Sequence, residues 1–393
     1  MVKKKNIRLF KPSVGNEEIL EIKKVFKKSW IGYGQKTREF ENLWSKYFKV
    51  KHSVGTNSCT AALHVVLAAQ NFKKGKKVLV PSITFSASAA APLYCGLKPV
   101  FVDIEKNSLT MNFDDLKKKY DKDCVAVIPV HFGGHPCAMD KITRWAKKKK
   151  LLVIEDCAET CGSSFKGKKL GTWGDYGCFS FEEKKILTTG DGGMITTNIT
   201  KNIDKIRSLS FHGWDKDPLK RFEISKSVNK KKNYKHWMYN ISNLGFKYNM
   251  NDLMASIGIA QFKKLKSFNS KREKIIKRYL KGIKNCKGIV PAFPYFPKNS
   301  SYWMFSIKCK KRDFLSSYLQ SKGISTSVHL IPLPLQPLYR KFKSKTPVAI
   351  RTWKQLLTLP LFPDLKLKDV DYVISQVKKF DQLYLSRGRK NLI

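Results

Sequence analysis

Acidic residues are scarce in this chain. Asp and Glu number 30 against 77 Lys and Arg, a formal net charge of +47 over 393 residues. With 42% hydrophobic residues the chain can still bury cores, so a disordered chain is excluded. No run of about 18 apolar residues occurs, and nothing is expected to insert in a membrane. The start, "MVKKKNIRLFKPSVG", is positively charged but lacks the apolar stretch of a secretory signal. A soluble, cytoplasmic protein is the expectation. The nine cysteines (Cys59, Cys95, Cys124, Cys137, Cys157, Cys161, Cys178, Cys286 and Cys309) are odd in number and scattered. Several sit in strand-like contexts such as "CVAVIPV" and "VIEDC", which suits buried reduced thiols better than a disulfide framework.

The excess of positive charge points at face value to nucleic acid. Yet the lysines are spread along the chain on helical stretches such as "DDLKKKYDKD" and "WAKKKK". There is no RNP-type aromatic signature, no zinc-finger spacing and no basic arm beyond the first few residues. A specific nucleic-acid partner is not expected, and non-specific attraction of polyanions is the bland account of the charge. A nucleic-acid-binding protein stands as the alternative from a different functional class.

What is present is strand and helix in alternation. "NEEILEIKKVFKK" and "TAALHVVLAAQ" have helical periodicity; "KKVLVPSITF", "KPVFVDI", "CVAVIPVHF" and "LLVIEDC" are apolar strands with the helices "NFDDLKKKY" and "MDKITRWAKKKK" among them. Near-continuous Val/Ile strands between helices predict a mainly parallel α/β sheet covered on both faces. "GCFSF" and "GGMITT" follow as strands with no helix between them. A long helix is expected from Asn251 to Gly282. After it a strand ("YWMFSIKC"), helices and a Pro-rich loop predict a smaller α+β unit.

Several motifs are tested and set aside. "GSSFKGKKL" has the Gly and Lys spacing of a phosphate loop, but Lys169 stands where a Ser or Thr must bind Mg²⁺, and no amphipathic helix follows. A turn accounts for it. His131 and His135 are four apart, as are Cys157 and Cys161, yet no helix brings either pair onto one face. No metal site is expected.

Four other pieces combine more specifically. "TNSCTAALH" is a small-residue turn opening a helix, whose free N–H groups can hold a phosphate. "VIEDCAE" places Asp156 at the C-terminal end of a buried strand, where open α/β sheets put their ligands. Ser180 lies in the strand "CFSF", and Lys184 and Lys185 lie just beyond it. A phosphate nest, a carboxylate, a hydroxyl and a lysine are the parts that pyridoxal 5′-phosphate (PLP, or PMP in its amine form) requires.

In this order those pieces resemble the DegT–DnrJ–StrS family of PLP-dependent nucleotide-sugar aminotransferases, of fold type I. The resemblance runs from about Gly15 to about Phe380 and includes "WIGYGQKTREFENLWSKYF", "NSCTAALH", "VPSITFSAS", "PVHFGGHPCAMD", "VIEDCAET", "GTWGDYGCFSF", "KKILTTGDGGMI", "LGFKYNMNDLMASIGIAQ", "VHLIPLPLQPLY" and "LPLFPDL". It implies a large PLP-binding domain (12–250) with a mainly parallel seven-stranded sheet, and a small C-terminal domain (251–393). It implies Lys185, not Lys184, as the lysine that carries the cofactor, because Lys185 stands four residues after the second Phe of "FSF". Ser180, Cys59 and Thr60 match the phosphate site. Asp156 matches the partner of the pyridine nitrogen, Phe85 the side chain lying against the ring, and Glu159 the residue near the ring hydroxyl. Lys247 and Asn249, in "GFKYNM", match positions that reach the neighbouring subunit's site. Tyr33 and His329 are assigned to the sugar.

The implied reaction moves an amino group from L-glutamate to a nucleotide-linked keto-sugar in a homodimer with shared active sites. Some relatives are sugar dehydratases with a histidine in place of the lysine; Lys185 argues against that. The departures concern specificity: Pro334 and Cys161 stand where many members have His, Asn249 where many have Arg, and Lys247 where many have Asn. The basic segment "RFEISKSVNKKKNYKHW" adds lysines and aromatics suited either to a nucleotide diphosphate or to solvent.

Overall fold

The structure, a computed structural model, describes residues 6–217, 219, 221, 237–297 and 300–383. Its centre is a seven-stranded sheet built from β1 (His52–Thr56), β2 (Lys77–Pro81), β3 (Lys98–Val102), β4 (Cys124–Val127), β5 (Leu152–Asp156), β8 (Tyr176–Ser180) and β9 (Gly193–Thr197), in the order β1-β9-β8-β5-β4-β2-β3. Here β6 (Ser164–Phe165) and β7 (Lys168–Lys169) form a separate two-stranded hairpin. That hairpin is the sequence "GSSFKGKKL", and Gly167 turns it at φ +80°. The turn reading of the motif holds.

The pairs from β8 across to β3 are parallel, and β9 runs antiparallel to both β1 and β8. Successive residues of β2 explain why the sheet must be covered twice. Val78 and Val80 join one core with Leu63, Ile154 and Ile206, while Leu79 joins the other with Leu116, Ile142 and Val153. Side chains alternate faces along a strand, so an apolar run buries both. The first core is capped by α3 (Cys59–Ala69), α4 (Ala87–Tyr94) and α7 (Ile203–Ser210). The second is capped by α5 (Phe113–Lys119) and α6 (Met139–Lys148).

Helix starts follow their caps. Ser58 Oγ accepts from Ala61 N–H at 3.1 Å, Asn112 Oδ1 from Asp115 N–H at 2.7 Å, and Asn251 Oδ1 from Met254 N–H at 2.9 Å. The last opens α8 (Asp252–Ile283), about 48 Å long at 1.5 Å per residue. This helix packs on α1 (Asn16–Lys27) and α2 (Gln35–Phe48) and also on the terminal helix α11 (Leu367–Asp381).

The C-terminal unit is an antiparallel sheet of β10 (Ile289–Pro291), β11 (Phe305–Cys309) and β12 (Leu356–Leu359). The helices α9 (Arg312–Ser321) and α11 close its core, which holds Tyr279, Phe305, Leu319, Leu357 and Val373. Between α9 and β12 lies the short helix α10 (Pro347–Trp353). The N-terminal segment belongs to this unit: Ile7 bridges Ile324 in parallel, and Leu361 N–H donates to Leu9 O at 3.0 Å. Among the described residues no helix is long and apolar enough to cross a membrane. Residues 222–236 of the basic segment fall outside the described residues.

Candidate active site

The strand ends assemble the site. β5 ends at Asp156, β8 ends at Ser180, and β1 hands over to α3 through Asn57 and Ser58. The C-terminal ends of parallel strands face the same edge of the sheet, so side chains far apart in sequence converge there. Asp156 is buried, and its carboxylate is held from two sides. Ser88 Oγ donates to Oδ2 at 2.7 Å, and Ala158 N–H donates to Oδ1 at 3.0 Å. Ser88 is itself paired with Thr84 Oγ1 at 2.7 Å.

Lys185 sits on the turn after β8, where its N–H donates to Glu182 O at 2.9 Å. Its Nζ lies 4.2 Å from the centroid of the Trp303 ring. Lys184 is different: it is half-exposed and lies within 3.5–3.6 Å of Glu183 and Glu182 carboxylate oxygens. The preference for Lys185 thus coincides with a side chain directed into the protein rather than into a surface ion pair.

The start of α3 forms a nest beside this lysine. Ser58 uses its hydroxyl for Ala61 N–H and its carbonyl for Ala62 N–H, which leaves the first-turn N–H groups of Cys59 and Thr60 for a ligand. Gly193 of β9 lets the strand reach this turn. A Cβ there would stand 2.5–2.7 Å from the Ser58 carbonyl group and Cys59 N. An anion at this helix end gains from both the free N–H groups and the helix dipole. Burial pushes the Cys59 thiol up, and the Asp156 carboxylate adds to the effect, so Cys59 is a neutral wall.

Glu159 is buried and close enough to feel both Lys185 and Asp156. Its Oε2 accepts from Gly133 N–H at 2.6 Å. Burial is the largest influence and raises its carboxyl to about 7, against the lowering effect of Lys185 and the Gly133 hydrogen bond. His329 comes from the C-terminal unit. Its Nδ1 is 2.9 Å from Thr358 Oγ1, and its ring meets Trp303 edge-on at 5.1 Å. Burial first, then the Lys185 and Lys184 cations, lowers its imidazole to about 4, so it is neutral near pH 7.

Phe85 is 59% exposed, a bare ring at the start of α4. Tyr33, Asn249 and Lys247 form a second group. Tyr33 packs near Phe211 and accepts from Arg207 Nη1 at 3.3 Å, and Lys247 Nζ lies 4.2 Å from the Phe211 ring centroid. Tyr33 and Asn249 line one cleft with Arg207 and Asp217. The main chain before α8 reaches the turn before α3 from this side, where Asn57 N–H donates to Tyr248 O at 2.6 Å.

Three contributors escaped the sequence reading: Ser88, Gly133 and Trp303. Trp303 was visible only as part of the strand-like "YWMFSIKC", and contacts with residues more than a hundred positions away carry no local pattern. His131 was considered as a metal ligand; with Glu155 and Cys157 it forms a cluster whose ligand atoms lie within 4.8 Å. Glu155 spends both oxygens on structural donors: His131 Nε2 at 2.9 Å and the N–H groups of Gly171, Trp173 and Gly174 at 2.7–2.9 Å. His135 is stacked on Phe293 with centroids 3.8 Å apart.

An inward-directed amine, a buried carboxylate, an exposed aromatic face and a free helix N-terminus suit a ligand that is at once aldehyde, heteroaromatic base and phosphate. That is the chemistry of PLP, and with this sheet order it defines a PLP-dependent enzyme of fold type I. The chain belongs to the DegT/DnrJ/EryC1/StrS aminotransferase family, matched over residues 12–378. It is 34% identical over 391 residues to the spore coat polysaccharide biosynthesis protein SpsC of Bacillus subtilis, covering 96% of this chain and 98% of that one. It is 32% identical over 387 residues to the dTDP-4-dehydro-2,3,6-trideoxy-D-glucose 4-aminotransferase of Saccharopolyspora spinosa, covering 97% and 98%. The Streptococcus pneumoniae protein Spr1654, assigned as a sugar aminotransferase, superimposes in its PMP form with a TM-score of 0.87 at 29% identity, covering 96% and 99%, and is also solved with PLP. The protein is a PLP-dependent sugar aminotransferase.

Proposed function

We propose that the enzyme moves the amino group of L-glutamate to a nucleoside-diphosphate-linked 4-keto-6-deoxyhexose, giving a 4-amino-4,6-dideoxy sugar for a surface glycan. The observation that carries the reading is Lys185: an amine held against Trp303 and close enough to Glu159 and His329 to be felt by both, where a dehydratase of this family has an imidazole. The 4-position rests on the Saccharopolyspora relative and the glycan on SpsC.

When bound, PLP supplies an electron sink that stabilises negative charge on the carbon losing its proton. Lys185 would be the base and acid that moves this proton, and it would have to be unprotonated to take it. Asp156, held by Ser88 and Ala158, would be the partner of the ring nitrogen. The Cys59 and Thr60 N–H groups with Ser180 would hold the phosphate, and Phe85 would lie against the ring. Neutral His329 accepts or donates a hydrogen bond to the sugar without adding charge. Lys247 and Asn249 serve the partner subunit's site in a homodimer, and Tyr33 contacts the sugar.

The test is a panel of keto-sugar nucleotides with glutamate, read by 2-oxoglutarate release, with the aminated carbon located by NMR. Amination at C3, or release with no donor preference for glutamate, refutes the specific assignment. Mixing inactive Lys185→Ala and Lys247→Ala subunits tests the shared site: hybrid dimers regain activity only if Lys247 acts across the interface.

A further inference from the structure

The turn that bears Lys185 is held by side chains outside it. Three consecutive carbonyls are gripped: Trp303 Nε1–H donates to Lys184 O at 2.8 Å, and Arg272 donates to Lys185 O at 3.5 Å and Ile186 O at 3.4 Å. Trp303 does more than grip the backbone. It is only 5% exposed, and its ring is flanked by Lys185 Nζ at 4.2 Å from the centroid and by Phe10 in a parallel stack at 5.1 Å. His329 closes an edge. The main-chain N–H of Trp303 donates to Gly133 O at 3.3 Å, and Gly133 N–H in turn holds Glu159. One residue of the C-terminal unit therefore fixes both the lysine-bearing turn and the turn that orients Glu159.

We propose that Trp303 is the positioning residue of Lys185: its N–H fixes the turn, and its ring face sets where the ε-amino group waits whenever it is not bonded to the cofactor. A lysine has four rotatable side-chain bonds, and an amine left free samples many positions. A reacting amine confined to one region starts closer to its attack geometry than one that samples solvent. When the amine carries a proton, the electron-rich ring face attracts it, so the resting place serves both protonation states. Nothing in this role requires Trp303 to touch a substrate. The inference rests on Lys185 being the cofactor lysine.

The test separates positioning from folding by using two ligands. Full-length protein stripped of cofactor is mixed with PLP, and formation of the covalent lysine link is followed by its visible band and by borohydride trapping. PMP, which has no aldehyde and only binds, reports whether the site is intact. With Trp303→Met the link forms about tenfold more slowly than in the wild type while PMP affinity stays within about twofold. Trp303→Phe keeps a ring face but loses the N–H, and it slows the link about threefold to fivefold. A role in folding alone would weaken PMP binding in step with the covalent rate, and that result overturns the proposal. So does a Trp303→Met protein that forms the link at the wild-type rate or faster. Should Trp303→Met bind no PMP because it is unfolded, Trp303→Phe decides: wild-type kinetics in that variant refute the clamp. If the wild type itself shows no reducible link at Lys185, the functional reading has failed and not this inference.

Discussion

Replacing Glu159 by Gln is expected to remove a pH-dependent instability from the cofactor-free protein. Glu159 is buried, its Oε2 takes one N–H from Gly133, and its carboxyl is raised from 4.5 to about 7, chiefly by burial. In the unfolded chain it ionises near 4.5, so between that pH and 7 the unfolded state has released a proton that the folded state keeps. Stability is fully present below the unfolded value and is lost as pH rises through the folded one. From pH 5 to pH 9 the loss is about 2.5 kcal/mol, taking 1.36 kcal/mol per pH unit of the difference. The glutamine side chain retains an oxygen for Gly133 N–H and cannot ionise. The assay is urea unfolding of both chains across that pH range. Other titrating groups are common to both, so they cancel in the difference. The stability of Glu159→Gln relative to wild type is expected to improve by about 2.5 kcal/mol as pH rises from 5 to 9. Parallel curves, or a gap that moves the other way, would refute the reasoning.

Lys185→Ala is expected to lose the visible band with PLP and to lower turnover by about a hundredfold to ten-thousandfold, whereas Lys184→Ala keeps both; absorbance and steady-state kinetics check this. Asp156→Asn keeps the shape and one oxygen for Ala158 N–H, while its amide NH2 can only donate to Ser88 Oγ, and the carboxylate charge is removed. It should cut kcat by about a hundredfold or more with a melting temperature near that of wild type. Gly134→Ala tests the joint between the two units. Gly134 has φ +92°, and a Cβ there would run into Ser301 O, so a loss of about 3 kcal/mol in urea unfolding is expected.

The alternation of strands and helices was legible because its causes are local. Val78, Leu79 and Val80 are apolar at consecutive positions, a pattern that only a strand covered on both faces tolerates. Ser58, Asn112 and Asn251 mark helix starts by chemistry that acts within a turn. The candidate site could be named from the sequence because Asp156, Ser180 and Lys185 lie on or just beyond strand ends, and strand ends can be read. Choosing Lys185 over its neighbour came from a resemblance, since two adjacent lysines in a lysine-rich chain look alike. The structure adds a physical difference: Lys184 lies beside Glu182 and Glu183 at the surface, while Lys185 lies over Trp303.

By itself the sequence determined the elements, their mainly parallel sheet and the residue types at its C-terminal edge, because periodicity, caps and turns are written within a few residues of where they act. Only the tertiary structure decided what those residues meet. Trp303 is 118 positions from Lys185 by number (303 less 185), Ser88 reaches Asp156 from the first turn of α4, and Gly133 reaches Glu159 from the turn between β4 and α6. It also decided that Glu159 is neutral in acid and costly in base, because a carboxyl's ionisation depends on how much water and how many donors the fold leaves around it.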